Sequence, residues 1–188
     1  MKYYLFHLSE PLNQEEFKGY LLSIDSQIKS VKFNSKLDGY FIGNSELSTT
    51  LNFIAEAITG DFNVSISILS SYELNDLSSY LFRHCTKKER ASYKSLADTI
   101  LDLILKNDYS FLPFLTNIFK DVNDSILLSI ETYVRTGFNA TLTAKKLFIH
   151  RNSFYYRMND FFSKTRIDIH DYENSQLVMF YIKLKNME

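Results

Sequence analysis

Toward the N-terminus, apolar positions switch between two periods. Tyr3 to Leu8 is an aromatic and apolar run of strand length. Asn13 to Ile28 follows, with Phe17, Tyr20, Leu21, Ile24 and Ile28 at helical spacing and Asn13 or Ser9 placed to cap it. Ser30 to Phe33 and Gly39 to Ile42 read as a hairpin around a loop from Asn34 to Asp38. Ser48 is positioned to cap a helix from Thr49 to Thr59, with Gly60 just past its end. Asn63 to Leu69 alternates with period two, as a half-buried strand does. The order β-α-β-β-α-β suits a ferredoxin-like split fold.

From Leu74 onward the signals are helical. Thr86 and Glu89 form a capping box for a long helix with Leu96, Ala97, Ile100, Leu103 and Ile104 facing inward, ended by Asn107 to Ser110. Pro113 fits the first turn of a helix over Phe114 to Lys120. Asp124 caps the next helix, whose core face is Ile126, Leu127, Ile130, Tyr133 and Val134, and Gly137 stops it. Glu173 to Lys185 is a last helix, with Leu177, Val178 and Tyr181 facing in. The fold class expected is α+β, a β-α-β-β-α-β body followed by an all-α connector and a C-terminal helix-turn-helix. The boundaries are a body at 1–72, connector helices at 73–108 and a helical domain at 109–188.

Asn139 to Lys164 carries the most specific pattern. Asn139 is a good N-cap, and Ala140, Ala144 and Leu147 fall on one helical face, with Ala144 small where a second helix must cross. Phe148 and Ile149 occupy a turn, and His150 caps a second helix. There Phe154, Met158 and Phe161 recur as an apolar stripe with Phe162 alongside. Turning about 100° per residue puts Asn152, Tyr155, Tyr156, Asn159 and Ser163 on the opposite face, flanked by Arg151 and Arg157. Such a face suits a DNA major groove. Asn bonds adenine edges and Arg bonds guanine edges bidentately, while Tyr and Ser hydroxyls reach phosphates. A solvated amphipathic helix is the plainer reading of the same periodicity.

Charge favours the groove. Asn139 to Arg166 holds Lys145, Lys146, Arg151, Arg157, Lys164 and Arg166 against Asp160 alone, a local +5 in a chain of net −1. A basic segment on an otherwise acidic protein is the footprint of a nucleic-acid module. With 45% hydrophobic residues, two Pro and five Gly among 188 residues, the chain can bury a proper core. No apolar run reaches the ~18 residues needed to span a membrane. Acids follow the short apolar N-terminal run and no small-residue cleavage site appears, so a cytoplasmic protein is expected. Cys85 is the single cysteine, which excludes an intramolecular disulfide and a cysteine-rich zinc site.

The run LFIHRNSFYYRM is similar to the C-terminal helix-turn-helix of the PucR/CdaR family of bacterial transcription regulators. Against that family's pattern, L-F-hydrophobic-H-R-N-T-L-x-Y-R-L, the chain matches at Leu147, Phe148, Ile149, His150, Arg151, Asn152, Tyr156 and Arg157. Ser153 stands for Thr, and Phe154 and Met158 stand for Leu. Leu127 to Asn139 resembles the family's preceding helix and its Gly-x-Asn entry, and Ile167 to Tyr172 its acidic turn before the last helix. The resemblance spans Phe111 to Lys185 and implies a sequence-specific transcription regulator with its recognition helix at about 151–164 in the major groove. Its partners would be double-stranded DNA and a second copy of the chain, with responsiveness to a metabolite, although no effector pocket is legible. In such regulators a degenerate GGDEF-like domain often precedes the DNA-binding part, and the N-terminal topology is consistent with one. The hairpin segment NSKLDG lacks an adjacent acid pair, so nucleotide cyclisation is rejected.

The candidate DNA contacts are therefore Asn139, Thr141, Lys145, Lys146, His150, Arg151, Asn152, Ser153, Tyr155, Tyr156, Arg157 and Asn159. His150 serves either as cap and turn packing or as a phosphate contact. No catalytic constellation stands behind an enzyme. His84 and Cys85 are chain neighbours, which point about 100° apart on a helix and make no dyad. His7, His84, His150 and His170 lack ligand-like spacing, so neither metal nor cofactor is expected. Asp121, Asp124 and Glu131 read as helix-dipole partners, and Lys87, Lys88, Glu89 and Arg90 as a solvated face. The competing function is a protein-interaction or adaptor module whose helix-turn-helix does not bind DNA.

Overall fold

The structure is a computed structural model that describes residues 1–86 and 91–187. The chain divides into two compact units, Met1–Asp108 and Tyr109–Glu188.

The first unit opens with strand β1 (Lys2–Leu8), helix α1 (Gln14–Ile24), and the hairpin β2 (Ile28–Phe33) and β3 (Asp38–Gly43). A short 3₁₀ turn (Ser45–Thr49), helix α2 (Leu51–Phe62) and strand β4 (Ile66–Ser71) follow. The sheet order is β2-β3-β1-β4-β5, where β5 is Ala91–Ser95, and β1 runs antiparallel to both β3 and β4. The β-α-β-β-α-β order expected from the sequence is present. Alternation decides what β1 buries. Tyr4, Phe6 and Leu8 are fully buried, together with Phe17 and Leu21 of α1 and Leu51, Ala55 and Ile58 of α2. The Phe6 ring lies 5.4 Å from Phe17 and 5.1 Å from Phe33 between centroids. Burying each such side chain contributes about 1.5–3 kcal/mol. Gly39 exists to let this cluster close, because a Cβ there would fall 2.3 Å from the Lys32 carbonyl and 2.5 Å from Phe6 Cζ.

Three local expectations are corrected. Helix α1 stops at Ile24 rather than reaching Ile28, since Asp25 is extended and its carboxylate accepts from the Gln27 N–H, which turns the chain into β2. Ser48 does not cap α2, because its hydroxyl donates back to the Ser45 carbonyl inside the 3₁₀ turn. Gly60 does not end α2. The helix continues to Phe62, whose ring meets Tyr20 at 5.0 Å and Phe17 at 5.8 Å, and terminates at Asn63 with a left-handed φ of 52°. That aromatic anchoring offsets the roughly 1 kcal/mol cost of a mid-helix glycine.

The largest departure lies in 73–108. Helix α3 (Asp76–Cys85) is followed by β5, which pairs parallel to β4, so this segment belongs to the sheet and is not an all-α connector. The capping box read at Thr86 and Glu89 falls on Glu89, outside the described residues. Helix α4 (Leu96–Leu105) begins instead at Ser95, which forms a capping box with Asp98. The cause is tertiary. The edge of β4 offers unpaired backbone groups, a parallel partner needs a helical crossover, and α3 supplies one. Tyr93 then donates to Ser70 Oγ at 3.1 Å. Flanked by β1 and β5 and packed by α2, α3 and α4, β4 is buried along its whole length rather than on one face.

The second unit contains α5 (Leu112–Phe119), α6 (Asp124–Arg135), α7 (Ala140–Lys146), α8 (Arg151–Thr165) and α9 (Tyr172–Lys185). Asn123 rather than Asp124 caps α6, accepting from the Ile126 N–H, and Gly137 follows its end with a φ of 65°. The core stacks Phe119 on Tyr181 at 4.1 Å and places Tyr133 against Phe154 at 5.0 Å. Phe161, Ile167 and Val178 complete it.

Candidate nucleic-acid interface

Helix α7 is short and starts on Asn139, whose side chain accepts from the Leu142 N–H at 2.9 Å. Its inner face is Thr143 and Ala144, both buried. Thr143 Oγ1 lies 2.7 Å from Thr136 Oγ1, which ties α7 to the end of α6. The turn closes when the Ile149 N–H bonds the Ala144 carbonyl at 3.0 Å, with Phe148 left-handed at a φ of 53°. His150 caps α8, its Nδ1 accepting from the Asn152 N–H at 3.2 Å. The imidazole is therefore committed through Nδ1 to the cap, the first of the two roles read for it.

On α8 the stripe separates cleanly. Phe154, Phe161 and Thr165 are buried, Met158 is half-buried, and Phe162 remains 48% exposed. The opposite face carries Asn152, Tyr155, Tyr156 and Asn159 in solvent, with Tyr156 73% exposed. Asn139, Thr141, Lys145, Lys146, His150, Arg151 and Ser153 are exposed as well. Arg151 is held in place, since its Nη2 donates to the Tyr155 hydroxyl at 2.9 Å and its guanidinium carbon lies 5.4 Å from that ring's centroid. Lys164 pairs with Asp160 at 2.8 Å, so the lone carboxylate of the segment is already engaged.

Arg157 differs from the other candidates. Its Nη1 donates to the Ser125 carbonyl at 3.2 Å and to Ser129 Oγ at 2.9 Å, which makes it a strut between α8 and α6. Beside it an open depression of about 440 Å³ is lined by Asn152 and Tyr156 of α8 and by Asn123 and Ser125 at the start of α6. Those two α6 residues were not legible as part of this face. Asn123 and Ser125 stand at the start of a helix, and that position says nothing about which helix lies across from it. Tyr133 of α6 packs against Phe154 of α8, and its hydroxyl lies 3.0 Å from His170 Nε2. Burial, and after it the neighbouring Tyr155, pushes its pKa up, so its hydroxyl stays protonated.

Cys85 is buried against β4 with its thiol toward the Ile68 carbonyl, and His84 bonds the Tyr80 carbonyl at 3.0 Å. Among the described residues no group of three or more His, Cys, Asp or Glu is arranged to hold a metal ion. Among them, too, no helix is long and apolar enough to cross a membrane.

The capped α7, the left-handed turn and the half-exposed α8 coincide with a known family model. Residues 126–184 match the family model of the PucR C-terminal helix-turn-helix domain. Within this PucR-type domain, α7 and α8 are the paired helices and α6 and α9 their support. The family match begins at Ile126, so α5 lies outside it, although Phe119 of α5 stacks on α9 and faces Phe161 of α8 at 6.3 Å. Over 58 residues the chain is 41% identical to the uncharacterized protein YxkF of Bacillus subtilis (strain 168), a stretch covering 31% of this chain and 19% of that protein. The match thus spans about a fifth of that relative's length. A crystal structure of a regulator of polyketide synthase expression from Bifidobacterium adolescentis superposes with a TM-score of 0.45 at 15% identity, covering 98% of this chain and 79% of that one.

Proposed function

We propose that the protein is a sequence-specific DNA-binding transcriptional regulator that places α8 in the major groove and acts as a homodimer. The observation that carries the reading is the exposed face of α8. Arg151, Asn152, Tyr155, Tyr156 and Asn159 stand in solvent on a PucR-type domain whose segment from Asn139 to Asn159 holds no carboxylate. In a helix-turn-helix the first turn of the second helix meets base edges, and Arg151 and Asn152 occupy that turn. Lys145 and Lys146 at the end of α7 are placed for phosphates. One such helix reads about half a site, so two copies on half-sites one helical turn apart give a specific complex.

The test is a titration of the full chain against duplex DNA across salt concentrations. With four to six phosphates neutralised, log affinity falls against log salt at about −0.9 per contact. Arg151→Ala or Asn152→Ala costs about 1–3 kcal/mol at the selected site and relaxes preference at one or two positions. A flat salt response, or no binding to any duplex at low salt, refutes the proposal and leaves the adaptor role. Sedimentation of a monomer with and without DNA refutes the dimer.

A further inference from the structure

Phe148 is the most exposed large apolar side chain among the described residues, at 96%, and it sits in a left-handed backbone conformation at a φ of 53°. Both features work against the fold. Aromatic L-residues avoid that region, where glycine and asparagine are at ease, and a bare ring in water gains nothing from burial. The turn does not need the ring, because it is closed by backbone bonds from the Phe148 N–H to Lys145 and from the Ile149 N–H to Ala144. A residue that costs the fold on two counts and leaves nearly its whole side chain in solvent is placed for something outside the fold.

Its neighbours define what that is. Lys145 and Lys146 precede it, His150 and Arg151 follow it, all are exposed, and no carboxylate lies between Asn139 and Asn159. A partner that fits must be anionic and must also present apolar carbon between its charges. Duplex DNA does both, with deoxyribose carbons and thymine methyls set between phosphates. Phe148 stands two residues before the α8 cap His150, in the chain just ahead of the turn that carries Arg151 and Asn152. Resting on that DNA reading, we propose that Phe148 is an apolar nucleic-acid contact, an uncharged anchor set among the phosphate-binding lysines.

An uncharged contact has its own thermodynamic signature, because it releases no counterion. Phe148→Gly and Phe148→Asn both suit the left-handed turn, so neither lowers the melting temperature of the full chain. Each is expected to bind a mixed-sequence duplex about tenfold more weakly than the unaltered protein, with an unchanged slope of log affinity against log salt. Lys145→Ala, by contrast, makes that slope shallower by about one. Replacing thymine by uracil in the duplex separates the two apolar sources. A loss that persists on the uracil duplex assigns the contact to the sugar, and one that vanishes assigns it to the methyl. If both variants bind as the unaltered protein does, the inference fails while the DNA reading stands, and the ring is left for a protein partner. If the unaltered protein binds no duplex, both fail together.

Discussion

The Arg157 strut tests how α8 is held. Its Nη1 reaches the Ser125 carbonyl at 3.2 Å and Ser129 Oγ at 2.9 Å, and Ser129 is fully buried. A hydrogen bond to a charged donor contributes about 1.5–3 kcal/mol, reduced here because the arginine is half-exposed and water screens it. The Ser125 carbonyl also accepts from Ser129 Oγ at 2.7 Å, so the longer arginine bond competes for an occupied acceptor and is the weaker of the two. Arg157→Ala is therefore expected to cost about 2 kcal/mol and Ser129→Ala about 1 kcal/mol. The double variant should lose less than the two together, with a coupling energy of about 1 kcal/mol. In a domain of this size each kcal/mol lowers the melting temperature by about 4–8 °C, so calorimetry on the full chain resolves the whole cycle. Additivity within about 0.3 kcal/mol means the bridge carries no coupling and refutes the strut. A second readout separates a strut from a phosphate ligand. Arg157→Ala should leave the salt dependence of duplex binding nearly unchanged, whereas a slope shallower by about one makes Arg157 a direct contact.

Gly39→Ala should destabilise the N-terminal unit by about 3 kcal/mol or more, because its Cβ meets backbone at 2.3 Å, while Gly19→Ala in α1 meets nothing within 4 Å and should be neutral or stabilising; urea unfolding compares them. Tyr20 is held protonated by burial and by its hydrogen bond to Asp61, its pKa pushed up to about 12. Since the folded value lies above the unfolded one, this contribution is fully present below about pH 10 and is lost as pH rises toward 12, and tyrosinate absorbance of Tyr20→Phe against the unaltered protein follows it. Asn139→Ala removes the cap of α7 and should cost about 1 kcal/mol, read as a lower melting temperature that Asn139→Asp largely restores.

The helices of the C-terminal unit were the most legible part of the chain. Asn139 and His150 act on N–H groups two or three residues away, Gly137 turns the backbone where it stands, and Phe154 and Phe161 mark the buried stripe of α8. These signals are local, so they survive without knowledge of any neighbour. The strand β1 was legible too, from its aromatic and apolar run, although the burial of Tyr4, Phe6 and Leu8 is a matter of the fold. The rest depended on contacts between distant parts of the chain. Ala91–Ser95 is a strand because β4 offers an edge 25 positions earlier in the chain, with Ser67 paired to Ser92. Gly60 stays inside α2 because Phe62 has two rings to meet. Arg157 reads as a base or phosphate contact in one dimension, and only the fold brings Ser125 and Ser129 of α6, about 30 residues upstream, within its hydrogen-bonding reach. Phe148 reads in one dimension only as a residue of the turn. Periodicity says which face a helix buries, but whether a turn residue finds a pocket or points into solvent depends on what the fold has left uncovered, and here it has left that ring bare.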